Sequence, residues 1–257
     1  NRPVEVTRAM LSRRVLLKVS GEVLGGDSGT GLCQNSLARL TQEVARASSH
    51  IQIAIVVGAG NICRGEDWNG TGLPQTIADA IGMSATHVNA LAIYAHLQLL
   101  GTPSLVMGAG SPVPQVEPFN STRARQKLSE GHVVILSGGT GNPFFTTDTC
   151  SVLRAAELEC QEVLKATKVD GVYDADPEKV PGAQRFDVIT FSEVLKRNLR
   201  VMDSTAFTMC NEQGLRLRVF DMHPEGAVES ALMGDPVGTL VHTEDDTDAD
   251  LPSPSQE

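Results

Sequence analysis

The sequence contains no G-x-x-x-x-G-K-[ST], no H-E-x-x-H and no G-x-S-x-G, and residues 58–65 do not fit G-x-G-x-x-G. The P-loop kinases and the Rossmann dehydrogenases are thereby disfavoured, along with the metallopeptidases and hydrolases that the other two motifs mark. The five cysteines, Cys33, Cys63, Cys150, Cys160 and Cys210, form no C-x-x-C pair and leave an odd count. That suits unbonded thiols in a reducing cytoplasm. No apolar run approaches the ~20 residues of a membrane span, and nothing near the start resembles a signal-peptide core, so a soluble cytoplasmic protein without membrane partners is expected. Basic residues are also scarce, with 21 Lys and Arg against 31 Asp and Glu and a net charge of −10. Glu244, Asp245, Asp246, Asp248, Asp250 and Glu257 lie in a terminal segment free of Lys and Arg, so the body itself is only mildly acidic. Such a balance argues against broad nucleic-acid binding, which needs a basic face.

With 257 residues, of which 41% are hydrophobic, the chain can bury a sizeable core. Residues 1–13 read as a flexible arm, residues 14–242 as a single folded body and residues 243–257 as an acidic tail too polar to fold. Within the body, strand and helix alternate. Strands are expected at residues 15–19, 51–57, 105–107, 133–136, 163–166, 217–220 and 239–242. Helices are expected behind an Asn35 cap, over residues 77–100, 122–128 and 148–158, from Ser192, from Asp203, and from Pro224 to Gly234. Residues 108–118 read as loop. Residues 170–184, with Gly171, Pro177, Pro181 and Gly182, read as a mobile connection or lid. This order implies an α/β fold with a mostly parallel central sheet and helices on both faces.

The body is organised around residues 133–148, V-V-I-L-S-G-G-T-G-N-P-F-F-T-T-D. A buried strand there runs into a glycine-rich loop, and loops at the carboxyl ends of parallel strands are where such sheets bind ligands. The alternative is an ordinary connection whose Thr and Asp cap the next helix. Other strand ends carry glycines with a basic or polar residue: Lys18-Val19-Ser20-Gly21, Gly58 with Arg64, and Lys165 with Thr167 and Lys168. A set of that kind suits a polyanion. Phosphoryl transfer needs two phosphorylated reactants held in line and cations to neutralise the transferred group, and Lys18, Arg64 and Lys165 are the available cations. The duller reading makes each lysine a strand-end side chain reaching to water, Arg64 a surface ion pair, and Asp79 and Asp148 helix caps.

L-L-K-V-S-G-E (residues 16–22), G-A-G-N-I-C-R-G (58–65), D-A-I-G-M-S-A-T (79–86), T-G-N-P-F-F-T-T-D (140–148) and K-A-T-K-V-D-G-V-Y-D-A-D-P (165–177) occur in that order. Together they resemble the bacterial-type uridylate kinases, members of the amino acid kinase fold family. The resemblance implies an α/β/α sandwich that transfers the γ-phosphoryl group of MgATP to UMP in pyrimidine biosynthesis, with UMP held by the N-terminal part and ATP by the C-terminal part. It implies that Lys18, Val19, Ser20, Gly21, Gly60 and Arg64 hold phosphates, mainly those of ATP, and that Thr167, Tyr173 and Asp176 hold the adenosine end. Ala59, Asp79, Thr140, Gly141, Asn142, Pro143, Phe144, Phe145, Thr146 and Thr147 match the UMP site. Lys18 and Lys165 become the charge-neutralising pair and Asp148 the carboxylate that aligns them. Mg2+ enters on the ATP phosphates, with no protein metal site. A hexamer, inhibition by UTP and activation by GTP are further expectations. Ala59 departs from the usual G-G-G-N of these proteins, which puts main-chain contact with the UMP phosphate in question unless its φ is negative. Two other classes stay open: a kinase of the same fold acting on a carboxylate or carbamate, and a catalytically silent nucleotide sensor.

Overall fold

The computed structural model describes residues 13–63, 68, 70–110, 113–177, 179–199, 201–244 and 246. Arg14–Val19 forms β1 and Gln52–Val57 forms β2. Apolar residues at successive positions suit strands covered on both faces, and β2 is buried at every residue. β3 (Ser104–Gly108), β4 (Val116–Pro118), β5 (Val133–Ser137), β6 (Glu162–Thr167), β9 (Val188–Thr190), β10 (Arg216–Asp221) and β11 (Thr239–His242) join them in a nine-stranded sheet of order β4-β3-β5-β2-β1-β6-β10-β11-β9. Every pairing is parallel except β10 with β11. A separate pair, β7 (Val172–Tyr173) and β8 (Arg185–Phe186), is antiparallel.

Helices cover both faces. α1 (Gly21–Leu24), α2 (Gln34–Ser48), α3 (Gln75–Leu99) and α8 (Ala227–Met233) follow β1, β2 and β10, while α4 (Ser121–Ser129), α5 (Thr147–Glu157), α6 (Phe191–Lys196) and α7 (Ser204–Glu212) complete the set. Strand alternation splits the core in two. Val15, Leu17, Val19, Ile53, Ile55 and Val57 pack with α2, α3 and α8, whereas Leu16, Ala54, Val56, Val134 and Val163 pack with α4, α5 and α7.

The expected α/β/α arrangement is what forms, with local differences. The cap of α2 is Cys33 instead of Asn35, which lies inside the first turn. The segment expected as loop at residues 108–118 ends in edge strand β4, where Pro118 needs no ladder donor. α8 starts at Ala227, three residues past Pro224, behind Gly226. The segment 170–184 contains β7 and runs up to β8, and its base is fixed: Val172 N–H donates to Thr239 Oγ1 at 2.8 Å and the Thr239 hydroxyl donates to the Phe186 carbonyl. Arg13, expected in the arm, pairs with Glu162 at 2.9 Å. The rest of the arm and most of the acidic tail lie outside the described residues.

Candidate active site

β1 and β6 are neighbours, and their register sets Lys18 directly opposite Lys165. Both side chains leave the sheet on the face that carries α5, because Leu16 and Val163, two residues before each, pack there. Two ammonium groups one strand spacing apart repel unless an anion lies between them. Asp148, in the first turn of α5, is that anion: its Oδ1 is 2.8 Å from Lys18 Nζ and its Oδ2 is 2.8 Å from Lys165 Nζ. Lys165 also donates to the Val201 carbonyl at 2.7 Å. Side-chain exposures of 11%, 14% and 15% for Lys18, Lys165 and Asp148 place the triad at the edge of solvent, with one net positive charge. Burial pushes the Asp148 carboxyl up, but the attraction of Lys18 and Lys165 outweighs it and holds the group below the ordinary carboxylate range. Burial lowers Lys165; Asp148 opposes that shift and the like charge of Lys18 adds to it.

Asp148 is held by the start of its helix. Thr146 is the cap, its Oγ1 accepting Asp148 N–H at 3.1 Å and Thr149 N–H at 3.2 Å. The Thr146 hydroxyl donates to Asp203 Oδ2 at 2.5 Å and that of Thr149 to Asp203 Oδ1 at 2.9 Å, while Asp203 caps α7 through Ala206 N–H. One carboxylate thus ties two helix starts together. Asp148 is therefore no cap, and neither is Asp79, which lies within α3.

A cleft of about 620 Å3 opens beside the triad. One wall is the α3 face that carries Ala78, Asp79, Gly82, Met83 and Thr86, the spacing of a helical stripe. Ala59 and Gly60 from the β2 loop, Glu22, Cys63, Gly139, and Phe145, Thr146, Thr147 and Asp148 complete it. The loops meet tightly: a Cβ on Gly21 would come within 2.6 Å of Gly60 N. Gly138, with φ of 76°, leaves no room for a Cβ against the Ala109 carbonyl, and its N–H donates to Thr86 Oγ1 at 2.7 Å. Ala59 is not among the residues with positive φ, so its Cβ costs no backbone strain, and the residue lines the cleft.

The other sequence-selected residues are distributed around this centre. Asp79 Oδ2 accepts Phe144 N–H at 2.7 Å, which fixes a phenylalanine whose φ is 70° and whose ring is exposed. Thr140 and Asn142 close a turn on each other through Thr140 Oγ1 at 3.1 Å, and with Gly141, Pro143 and Phe144 they form no part of the cleft lining. Val19 accepts Gly58 N–H through its carbonyl at 2.9 Å, and Ser20 precedes α1. Thr167 ends β6; the Tyr173 hydroxyl donates to Asp170 at 2.8 Å and Asp176 pairs with Lys179 at 2.7 Å, both outside the cleft lining. Arg64 lies outside the described residues. Gly139 lines the cleft from the glycine-rich loop expected to bind, whereas sequence reasoning missed Glu22, Ala78, Gly82, Met83 and Thr86 as lining residues. The i, i+4, i+8 series Ala78, Gly82, Thr86 was the available signal. A second cleft of about 370 Å3 shares Gly60 and Cys63 with the first and is flanked by Thr30 and by Lys168, which pairs with Glu22 at 3.1 Å.

The chain is similar to known proteins over most of its length. The model of the amino acid kinase family matches residues 13–221. A uridylate kinase of Magnetococcus marinus is 46% identical over 239 residues, spanning 93% of this chain and 98% of that protein. The UMP kinase structure from Ureaplasma parvum superimposes with a TM-score of 0.86 at 33% identity, covering 90% of this chain and 99% of the other. That from Bacillus anthracis gives a TM-score of 0.86 at 32% identity, with 90% and 96% covered. Family match, sequence identity and superposition thus agree along nearly the whole body: the chain belongs to the amino acid kinase family, within its uridylate kinase group.

Proposed function

We propose that the protein transfers the γ-phosphoryl group of MgATP to UMP, giving ADP and UDP. The observation that carries this reading is the Lys18–Asp148–Lys165 triad, which meets a cleft large enough for a nucleotide through Asp148, the two lysines standing behind that carboxylate. A phosphate oxygen of UMP, already ionised at neutral pH, forms the new bond to the γ-phosphorus as the bond to the β–γ bridging oxygen breaks, so no strong general base is needed. The two ammonium groups neutralise charge on the transferred group and the leaving oxygen, and Asp148, bonded to both, fixes their spacing. The positive end of the α5 dipole favours the same anion.

The N-terminal part takes UMP, with Ala59, Asp79 and residues 140–147 around it; the C-terminal part takes ATP, with Lys18, Val19, Ser20, Gly21, Gly60 and Arg64 at the phosphates and Thr167, Tyr173 and Asp176 toward adenosine. No group of three His, Cys, Asp or Glu able to hold a metal occurs among the described residues. Mg2+ enters with the ATP phosphates as part of the substrate. A role in cytoplasmic pyrimidine nucleotide synthesis, assembly as a hexamer, inhibition by UTP and activation by GTP belong to the same reading. A carboxylate or carbamate kinase is disfavoured because no Lys or Arg occurs between Gly138 and Asp148 to meet an acidic substrate, and a silent sensor because the whole triad is present. The test is a transfer assay across nucleoside monophosphates with acidic amino acids included. UMP should be turned over far faster than CMP or dUMP; equal rates with CMP and UMP would remove the assignment.

A further inference from the structure

Helix α3 carries one fully buried amide, Asn89, in a stretch whose other buried positions include Ala90, Ile93 and Leu97. An amide in such surroundings costs stability unless all its hydrogen-bonding groups are met. Asn89 meets them with the nucleotide loops. Its Nδ2 donates to the Gly58 carbonyl at 2.7 Å and to Asn61 Oδ1 at 2.7 Å. In return Asn61 Nδ2 donates to Asn89 Oδ1 at 3.0 Å and to the Gly31 carbonyl at 2.6 Å. Gly31 N–H closes the circuit on the Asn61 carbonyl at 2.8 Å. The two carboxamides therefore interlock, and each spends its remaining donor hydrogen on backbone.

The consequence falls on Gly58, Ala59 and Gly60. With a trans peptide, fixing the Gly58 carbonyl toward Asn89 turns Ala59 N–H the opposite way, so one side chain sets the orientation of the peptide that enters the cleft wall. Gly21 is packed against the same unit: a Cβ there would lie 2.7 Å from Asn61 Oδ1 and 2.8 Å from the Gly58 carbonyl. An apolar side chain at position 89 would fill the helix face but leave this path unset.

We propose that Asn89 is a positioning residue for phosphoryl transfer, acting through Asn61 to fix the loops after β1 and β2 against the phosphates; this rests on the kinase reading above. The experiment compares wild type, Asn89→Ala, Asn61→Ala and the double variant by steady-state kinetics with ATP and UMP, calorimetric titration of each nucleotide, and thermal melting. Each single variant is expected to lower kcat tenfold to a hundredfold, roughly what misplacing reactants by about an ångström costs, while nucleotide stoichiometry stays that of wild type. The double variant is expected to fall by clearly less than the product of the two single losses, since the Asn61–Asn89 interlock is common to both. Retention of kcat within about twofold, losses that multiply in the double variant, or a fall in kcat matched by lost binding sites would each overturn the proposal. Should Asn89→Ala not fold, Asn61→Ala decides alone. Wild type that transfers nothing to UMP removes the reaction and this proposal together, whereas active wild type with unaltered variants removes only the proposal.

Discussion

Lys18 and Lys165 differ from ordinary strand-end lysines in having a shared counter-ion inside the fold. If they stabilise charge that grows toward the transition state, Lys18→Met and Lys165→Met should each lose about 3 kcal/mol of barrier lowering, on the order of a hundredfold in kcat, with far smaller changes in nucleotide affinity. Asp148→Asn should act in the same direction, and combined with Lys18→Met it should be less than additive. Steady-state rates beside calorimetric affinities check both statements; near-normal turnover in the lysine variants would contradict the mechanism. A pH profile gives an independent reading. Lys165 is active while protonated, and burial lowers its pKa from the ordinary 10.5, so rising pH should discharge it before a normal lysine. The alkaline fall in kcat/KM, which reports the free enzyme, should therefore begin below pH 10.5 and shift in the Lys165→Arg variant to higher pH. These cations were legible in the sequence because each lies one or two residues before the end of an apolar strand, Lys18 ahead of Ser20-Gly21 and Lys165 ahead of Thr167. Asn89 was not, since an amide inside a helix shows its purpose only through partners on other elements.

Helix α8 shows why element boundaries are harder to read than elements. Its start has no side-chain cap of its own, Gly226 standing at the cap position. The Glu43 carboxylate, buried on α2, supplies the cap instead, accepting N–H groups of Gly226 at 3.2 Å, Val228 at 2.9 Å and Glu229 at 3.1 Å. No local pattern could have revealed a cap 183 positions away in sequence. Strand and helix order, by contrast, followed from apolar runs and periodicity, and erred chiefly where short pieces such as β4 and β7 depend on neighbours for their hydrogen bonds. Glu43→Ala strands those donors in a dry interface and should cost about 2 kcal/mol, a fall in Tm of roughly 4–8 °C, with Glu43→Gln milder. Calorimetric melting tests this, and kcat should hardly move because Glu43 lies outside the cleft lining. Three of the cysteines are buried, with burial pushing Cys160 and Cys210 up to about 12 and Cys150 to about 11. Cys33 is different, a half-buried helix cap whose thiol is lowered chiefly by the Ser36 backbone N–H.

At the scale of the whole molecule, α3 carries a stripe that one chain leaves partly uncovered. Ile77 and Val88 are 49% and 48% exposed, and Ile81 and Leu91 along the same line are half-buried. Burial in the chain's own core does not account for Val88. Assembly through this face predicts a solution mass several times that of one chain, and Val88→Asp should shift it toward smaller species, as light scattering would show. A monomeric wild type at micromolar concentration would contradict that. The far side of the sheet has another kind of dependence. β9 pairs with β11, which in turn lies between β9 and β10, and Thr239 at the head of β11 also bonds to both strands of the β7–β8 hairpin. Synthesis on the ribosome runs from the amino end, so β9 emerges before the strand that anchors it. A nascent chain halted between Asp221 and Thr239 presents the open edge of β10 and an unclaimed β9 to chaperones and to neighbouring nascent chains.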